Sequence, residues 1–168
     1  WEWDLLEDIY SVSDLAIALA NDDIPKEYEA YAVMEGTNDI RKNLNPIACG
    51  IQQTENIKKV QEMAPNAIVI PAEIPPQTNN KNDAVATFNI TLEQELKPEG
   101  FSIIPTESIL GDTKKTIDPH DGYHITNEGG RIMAAALNKL LASGVRPDTL
   151  PPKKEKANPA TQSNQKTP

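Results

Sequence analysis

The chain has 168 residues, a formal net charge of −9 and only 5% aromatic residues. This length suits a single domain, and the excess of acidic residues argues against direct binding of nucleic acid, whose phosphates need a basic surface. No run approaches the roughly 18 apolar residues of a membrane-spanning helix. The single cysteine, Cys49, excludes an internal disulfide and a multi-cysteine zinc site, and we expect it to be a small buried helix residue.

Helical and strand-like patterns alternate along the chain. Helical spacing of apolar residues predicts helices in the segments 5–9, 15–19, 46–63, 83–96 and 127–143. Short apolar or β-branched runs predict buried strands in the segments 28–34, 67–70 and 101–104. The last helix has the clearest pattern, because Thr126 caps its start and Gly144 ends it. A long loop is expected between the third strand and this helix.

Strands separated by helices of this length predict an α/β fold, a three-layer sandwich with a parallel sheet and helices on both faces. Ligands of such sheets bind at the carboxyl ends of the strands. We therefore expect the site in the loops after Met34, Pro71 and Ile104. The folded domain is predicted to span residues 1–150, because the proline-rich, charged segment 151–168 has too few apolar side chains to offset its ordering entropy.

Two motifs in these loops carry chemistry. Gly36-Thr37-Asn38-Asp39 follows the first predicted strand, and Asp121-Gly122-Tyr123-His124 precedes the last helix. An imidazole can act as a general base, a carboxylate three residues away can fix its tautomer, and an asparagine amide can stabilise an oxyanion. The two motifs together are therefore typical of acyl transfer.

These residues resemble two blocks of the SGNH (GDSL-type) hydrolases, namely Gly-x-Asn-Asp after a central strand and Asp-x-x-His before a helix. The resemblance spans about residues 28–143 and implies a flavodoxin-like SGNH hydrolase fold. It implies that His124 is the base, Asp121 its orienting acid and Asn38 an oxyanion donor, with Gly36 allowing a tight turn beside the substrate. It implies a serine esterase that acts on a small acyl ester of a lipid or glycan, without a cofactor or metal.

The chain departs from the SGNH pattern at the nucleophile. The Gly-Asp-Ser block of that family lies upstream of the Gly-x-Asn-Asp block, and Ser11 and Ser13 lack the preceding Gly-Asp. We therefore expect that the N-terminal part of the fold, with the nucleophile, is missing, and that the chain associates with such a segment. Gly111-Asp112-Thr113 imitates the nucleophile block with a threonine but follows the last predicted strand.

Several alternatives stay open. Asp118 is a second candidate for the acid that orients the base, and His120 with His124 and neighbouring carboxylates suggests a metal site that lacks a third well-spaced ligand. Asn89 begins a formal glycosylation acceptor but falls in a predicted helix. The main alternative to an esterase is a catalytically inactive SGNH-like binding or structural module of a larger protein, such as a retrotransposon or viral polyprotein segment.

Overall fold

A computed structural model describes residues 3–6 and 8–143 of the chain. The helices are α1 (Val12–Ala20), α2 (Thr37–Arg41), α3 (Pro46–Met63), α4 (Asn82–Leu96), α5 (Thr106–Leu110), α6 (Thr113–Thr116) and α7 (Asn127–Ala142), and a short 3-10 turn covers Lys97–Glu99. The strands are β1 (Ala30–Val33) and β2 (Ile68–Pro71). Within the described residues, no helix is long and apolar enough to cross a membrane.

The two strands form a parallel pair. Ala30 lies opposite Ile68 and Val33 lies opposite Pro71. The chain between them contains α2 and α3, so the connection is the helical crossover that parallel strands require. The prediction of an α/β fold with a parallel sheet is therefore confirmed.

Helices cover both faces of this sheet. Alternate residues of β2 pack in two different apolar cores. Val69 packs in the core that contains residues of α1, α3 and α4. Ile68 and Ile70 pack in a second core with residues of α5 and α7. The predicted three-layer arrangement follows directly from the period of two along a strand.

The prediction of a third strand at residues 101–104 is wrong. Only Ile104 pairs with the sheet, through a parallel bridge to Ala72. The Ile104 amide donates to the Pro71 carbonyl at 2.9 Å, and the Glu73 amide donates to the Ile104 carbonyl at 3.1 Å. The pairing stops there because Thr106, the next residue that would bond the neighbouring chain, begins α5. Its amide donates to the Ile104 carbonyl at 3.0 Å, and its hydroxyl rather than its amide donates to the Glu73 carbonyl.

The helix predicted for residues 5–9 is also wrong. The described residues of this segment form no helix, and Asp8 has a φ of 64°, which lies in the left-handed region. The first helix begins only after Ser11, whose side chain accepts a hydrogen bond from the Asp14 amide. The expected long loop after Ile104 contains the short helices α5 and α6 instead.

The longer helices agree closely with their patterns. α3 has the predicted bounds, and α4 begins one residue before its predicted start. Thr126 caps α7 as expected, because its hydroxyl accepts a hydrogen bond from the Gly129 amide at 3.1 Å. Cys49 is buried within α3, as predicted. Gly144, the domain boundary at residue 150 and the tail 151–168 lie outside the described residues.

Candidate active site

The loop before α7 holds an acid–imidazole pair. The Nδ1 atom of His124 lies 2.6 Å from Oδ2 of Asp121, and the His124 side chain is 64% exposed. A carboxylate at Nδ1 favours the tautomer with the proton on Nδ1, which leaves Nε2 as an acceptor. This is the arrangement that a general base requires.

Backbone amides keep this carboxylate ionised. Oδ1 of Asp121 accepts hydrogen bonds from the amides of His124 at 3.0 Å and Tyr123 at 2.9 Å. These two bonds, followed by the contact with the imidazole ring, lower the pKa of Asp121 to about 2. Asp121 is therefore an anion throughout the range in which an imidazole titrates.

Asp118 does not take the place of Asp121. Its carboxylate accepts a hydrogen bond from the amide of His120 at 2.8 Å, and its own amide donates to the carbonyl of His124 at 2.8 Å. Asp118 thus shapes the loop through its carboxylate and its backbone amide. Among the described residues, no three His, Cys, Asp or Glu side chains come close enough together to hold a metal ion.

The loop after β2 supports the same turn. The Thr78 amide donates a hydrogen bond to the carbonyl of Gly122 at 2.8 Å. Gly122 has a φ of 78°, and a Cβ atom there would lie 2.8 Å from the Thr78 hydroxyl oxygen. The contact between these loops needs a glycine at this position and fixes the backbone next to His124.

The Gly36–Asp39 motif forms the turn from β1 into α2. Asp39 is 2% exposed, and its carboxylate accepts a hydrogen bond from the Val12 amide at 3.1 Å. Burial raises the pKa of Asp39 above its ordinary value. Asn38 stays half-buried, and its Nδ2 atom donates to the carbonyl of Tyr10 at 2.8 Å. One of the two N–H donors of the Asn38 side chain is thus engaged by the segment that precedes α1.

One stack of side chains connects the two motifs across the chain. The Arg41 guanidinium lies 4.8 Å from the centre of the Tyr123 ring, and the Tyr123 ring lies 4.3 Å from the His124 ring, centre to centre. Arg41 is in α2, one turn after Asn38. The stack therefore brings the helix that carries Asn38 next to the loop that carries His124, as expected for residues at the carboxyl edge of one sheet.

Sequence reasoning missed Arg41 and Tyr123 as parts of this region. The sequence indicated a role for Arg41 only through its position three residues after Asn38. Residues with this spacing are neighbours on the surface of a helix. Glu35 precedes the Gly36–Asp39 motif, and no sequence pattern indicated its surroundings. Its side chain is largely buried, which, with Asp39 and Asp14 nearby, raises the pKa of Glu35 to about 8.

The described residues contain no hydroxyl or thiol group that hydrogen-bonds the His124 ring. The Ser11 hydroxyl caps α1, and the Ser143 hydroxyl donates to the Leu140 carbonyl. Asp112 caps α6 by accepting from the Lys114 amide at 3.0 Å, so the Gly-Asp-Thr sequence there begins a helix. The pair of Asp121 and His124 is present without an adjacent nucleophile in the described part of the chain.

No protein-family model matches this sequence, and a search of curated protein sequences finds no significant match. Solved structures do match. The chain is similar to a GDSL-like lipase from Bacteroides thetaiotaomicron, with a TM-score of 0.64 and 18% identity, over 80% of this chain and 72% of that chain. It is also similar to a member of the lipolytic G-D-S-L family from Veillonella parvula, with a TM-score of 0.64 and 16% identity, over 79% of this chain and 75% of that chain.

The chain has the SGNH hydrolase fold. A carbohydrate esterase of family 3 from Talaromyces cellulolyticus shares it, with a TM-score of 0.62 and 15% identity, over 80% of this chain and 67% of that chain. The resemblance inferred from the two motifs is thus supported by the architecture of the chain. In this SGNH fold, the Asp121–His124 pair and Asn38 lie on two loops that are connected by the Arg41–Tyr123 contact.

Proposed function

We propose that the chain supplies the general base, its orienting acid and an oxyanion donor for the hydrolysis of a small acyl ester. The observation that carries this proposal is the 2.6 Å contact between His124 Nδ1 and Asp121 Oδ2. When an ionised carboxylate holds one nitrogen of an exposed imidazole, the other nitrogen can accept a proton from a nucleophile.

The proposed reaction follows from these positions. A serine hydroxyl attacks the acyl carbonyl while its proton passes to Nε2 of His124, and Asp121 stabilises the imidazolium. Asn38 donates to the oxyanion, and the imidazolium then returns the proton to the departing alcohol. Water, activated by the same imidazole, releases the acid and restores the serine. In this proposal the serine lies outside the described residues.

The side-chain amide of Asn38 carries two N–H donors, and one of them already has a partner. Its Nδ2 atom now donates to the Tyr10 carbonyl at 2.8 Å. We assign the second N–H of the same nitrogen to the oxyanion, which is a stronger acceptor than a neutral carbonyl.

The substrate class we propose is an acetyl or short acyl ester on a glycan or lipid. One structural neighbour is a carbohydrate esterase and another is a GDSL-like lipase. The site around His124 is exposed rather than enclosed, which suits an acyl group presented by a larger molecule.

A fluorophosphonate probe tests this function in the natural protein. We expect the probe to label a single serine, which mass spectrometry of the labelled peptide identifies, and we expect His124→Ala to slow labelling at least about 100-fold. His120→Ala is the matched control, because the His120 amide contacts Asp118 in the same loop without touching the acid–base pair. Equal labelling rates in the two variants would remove His124 from the mechanism.

A second function is a binding or structural module without catalysis. The lack of a hydroxyl partner for the His124 ring among the described residues favours it. In that case the fluorophosphonate probe labels no serine in the natural protein.

A further inference from the structure

Arg41 is an exposed cation without a counter-ion, and it lies beside the candidate site. Lys26, Lys58 and Lys97 each pair with a carboxylate. Within the part of the chain that the structure describes, the guanidinium of Arg41 pairs with none and donates no hydrogen bond. The chain as a whole has a formal net charge of −9. An arginine that stays unpaired in so acidic a chain has its charge available for a ligand.

The Tyr123 ring holds this guanidinium in place. Cζ of Arg41 lies 4.8 Å from the centre of the ring, which is a cation–π contact. A guanidinium carries five N–H donors in a rigid fork, and a contact with the face of a ring uses none of these donors for a hydrogen bond. The contact therefore positions Arg41 and leaves its hydrogen-bonding capacity free.

The imidazole of the proposed base lies directly beyond the Tyr123 ring. The centres of the Tyr123 and His124 rings are 4.3 Å apart, with an angle of 37° between their planes. The guanidinium of Arg41 is therefore no farther from the imidazole than these two consecutive contacts allow. A substrate whose ester group reaches His124 can present a second group, a few bonds away, to Arg41.

The chain around Arg41 is locally basic. Residues 40–54 contain Arg41 and Lys42 but no acidic residue, and Asp39 and Glu55 bound this segment. Asp39 is 2% exposed, whereas Lys42 is exposed. A small neutral ester gains little from a local excess of positive charge, but an anionic substrate is attracted by it.

We propose that Arg41 selects ester substrates whose alcohol part carries an anionic group, a carboxylate or a phosphate, close to the ester. This inference deepens the function proposed above and rests on it, because the ester must also reach His124. The N–H fork of arginine matches two oxygens of either anion in a bidentate contact. Arg41 is thus a specificity-determining residue, and Tyr123 positions it.

Acetate release from three esters by the natural protein tests this specificity. The esters are γ-acetoxybutyrate, which carries a carboxylate, γ-acetoxypropyl phosphate, and the neutral control γ-acetoxybutyramide. We expect kcat/KM for at least one anionic ester to exceed that for the neutral ester at least about tenfold, because hydrogen bonds between charged groups are strong. The better of the two anionic esters identifies the anion that Arg41 recognises. Equal kcat/KM values for all three esters would overturn the proposal.

Variants of Arg41 assign the selectivity to its guanidinium. Arg41→Gln should lower the ratio of the anionic to the neutral kcat/KM at least about fivefold. Arg41→Lys should recover only part of this ratio, because an ammonium group acts as a point charge. Lys59→Gln is the matched control, since it removes one exposed positive charge roughly 20 Å along α3 from its start. An equal fall of the ratio in Arg41→Gln and Lys59→Gln would overturn the proposal, because net charge would then explain the selectivity.

Binding of the intact esters separates this proposal from the proposed hydrolysis. If the natural protein releases acetate from none of the three esters, the hydrolytic function fails, and isothermal titration calorimetry with the same esters tests Arg41. We then expect an anionic ester to bind at least about tenfold more tightly than γ-acetoxybutyramide, and we expect Arg41→Gln to remove this difference. Equal Kd values for all three esters would overturn the role of Arg41. Hydrolysis of all three at equal kcat/KM would overturn it as well and leave the esterase function intact.

Discussion

Gly36 lies in the turn of the candidate site between β1 and α2. Its φ is 138°, and a Cβ atom there would lie 2.5 Å from the ring of Phe88, which is fully buried. Both the backbone conformation and the available space therefore require glycine at this residue.

Gly36→Ala should lower the free energy of unfolding by about 3 kcal/mol, because the strained φ and the overpacking against Phe88 each cost roughly 1–3 kcal/mol. Urea denaturation measures this change. Gly130→Ala is the control, since a Cβ atom at this position of α7 meets nothing within 4 Å. It should stabilise the chain by about 0.5–1 kcal/mol. A loss below about 1 kcal/mol for Gly36→Ala would contradict the account of this turn.

At the scale of elements, Asn89 fixes helix α4 to the loop after β2. Its side-chain oxygen accepts from the Ile74 amide at 2.9 Å, and its side-chain nitrogen donates to the Ile74 carbonyl at 3.1 Å. Ile74 is fully buried. Because the amide nitrogen of Asn89 is used in this way, the folded chain offers a poor glycosylation acceptor here.

Asn89→Ala should lower the free energy of unfolding by about 2 kcal/mol or more, because it leaves a buried backbone donor and a buried acceptor of Ile74 unsatisfied. Urea denaturation again measures the effect. The exposed Asn66 provides the matched control, and Asn66→Ala should change the stability by less than about 0.5 kcal/mol. Equal effects of the two substitutions would show that the Ile74 contacts contribute little.

The elements that could be predicted are those specified by local chemistry. α7 follows from a threonine cap and an apolar stripe, and α3 begins with Pro46 after the Asn45 cap. The helix predicted for residues 5–9 failed because three apolar residues are a short pattern and Asp8 adopts a left-handed conformation. The third strand shortened to one bridge because Thr106, the next residue that could continue the pairing, begins α5 instead.

The contacts of the candidate site also fall into two groups, those that local sequence predicts and those that depend on tertiary packing. The contact of Asp121 with His124 follows from a spacing of three residues in a turn, so the sequence was sufficient to expect it. The Arg41–Tyr123 stack and the Tyr10 carbonyl at Asn38 depend on how distant segments pack, and no local pattern reports them. The same applies to the burial of Glu35.

At the scale of the whole molecule, buried carboxyl groups make stability depend on pH. The pKa of Glu35 is raised from 4.5 to about 8, and that of Glu73 from 4.5 to about 7, with burial as the largest cause in both. Between pH 5 and pH 8 the folded state therefore binds more protons than the unfolded state. The contribution of these two groups to the free energy of unfolding is fully present below pH 4.5. It is lost as the pH rises through their folded-state pKa values towards 8.

Thermal unfolding between pH 5 and pH 8 checks this linkage. We expect the Tm of the chain to fall across this range and expect Glu35→Gln to make the decline shallower, because an amide does not titrate. The exposed Glu55 provides the control, and Glu55→Gln should retain the slope of the parent chain. A Glu35→Gln slope that equals that of the parent would mean that Glu35 titrates normally.

The central claim is that His124, oriented by Asp121, acts as a base in ester hydrolysis. Turnover of p-nitrophenyl acetate by the natural protein tests it most directly. We predict that His124→Ala lowers kcat/KM by about 10²–10⁴-fold, while His120→Ala, in the same loop, leaves it within about twofold of the parent. Equal kcat/KM values for the two variants would contradict the claim.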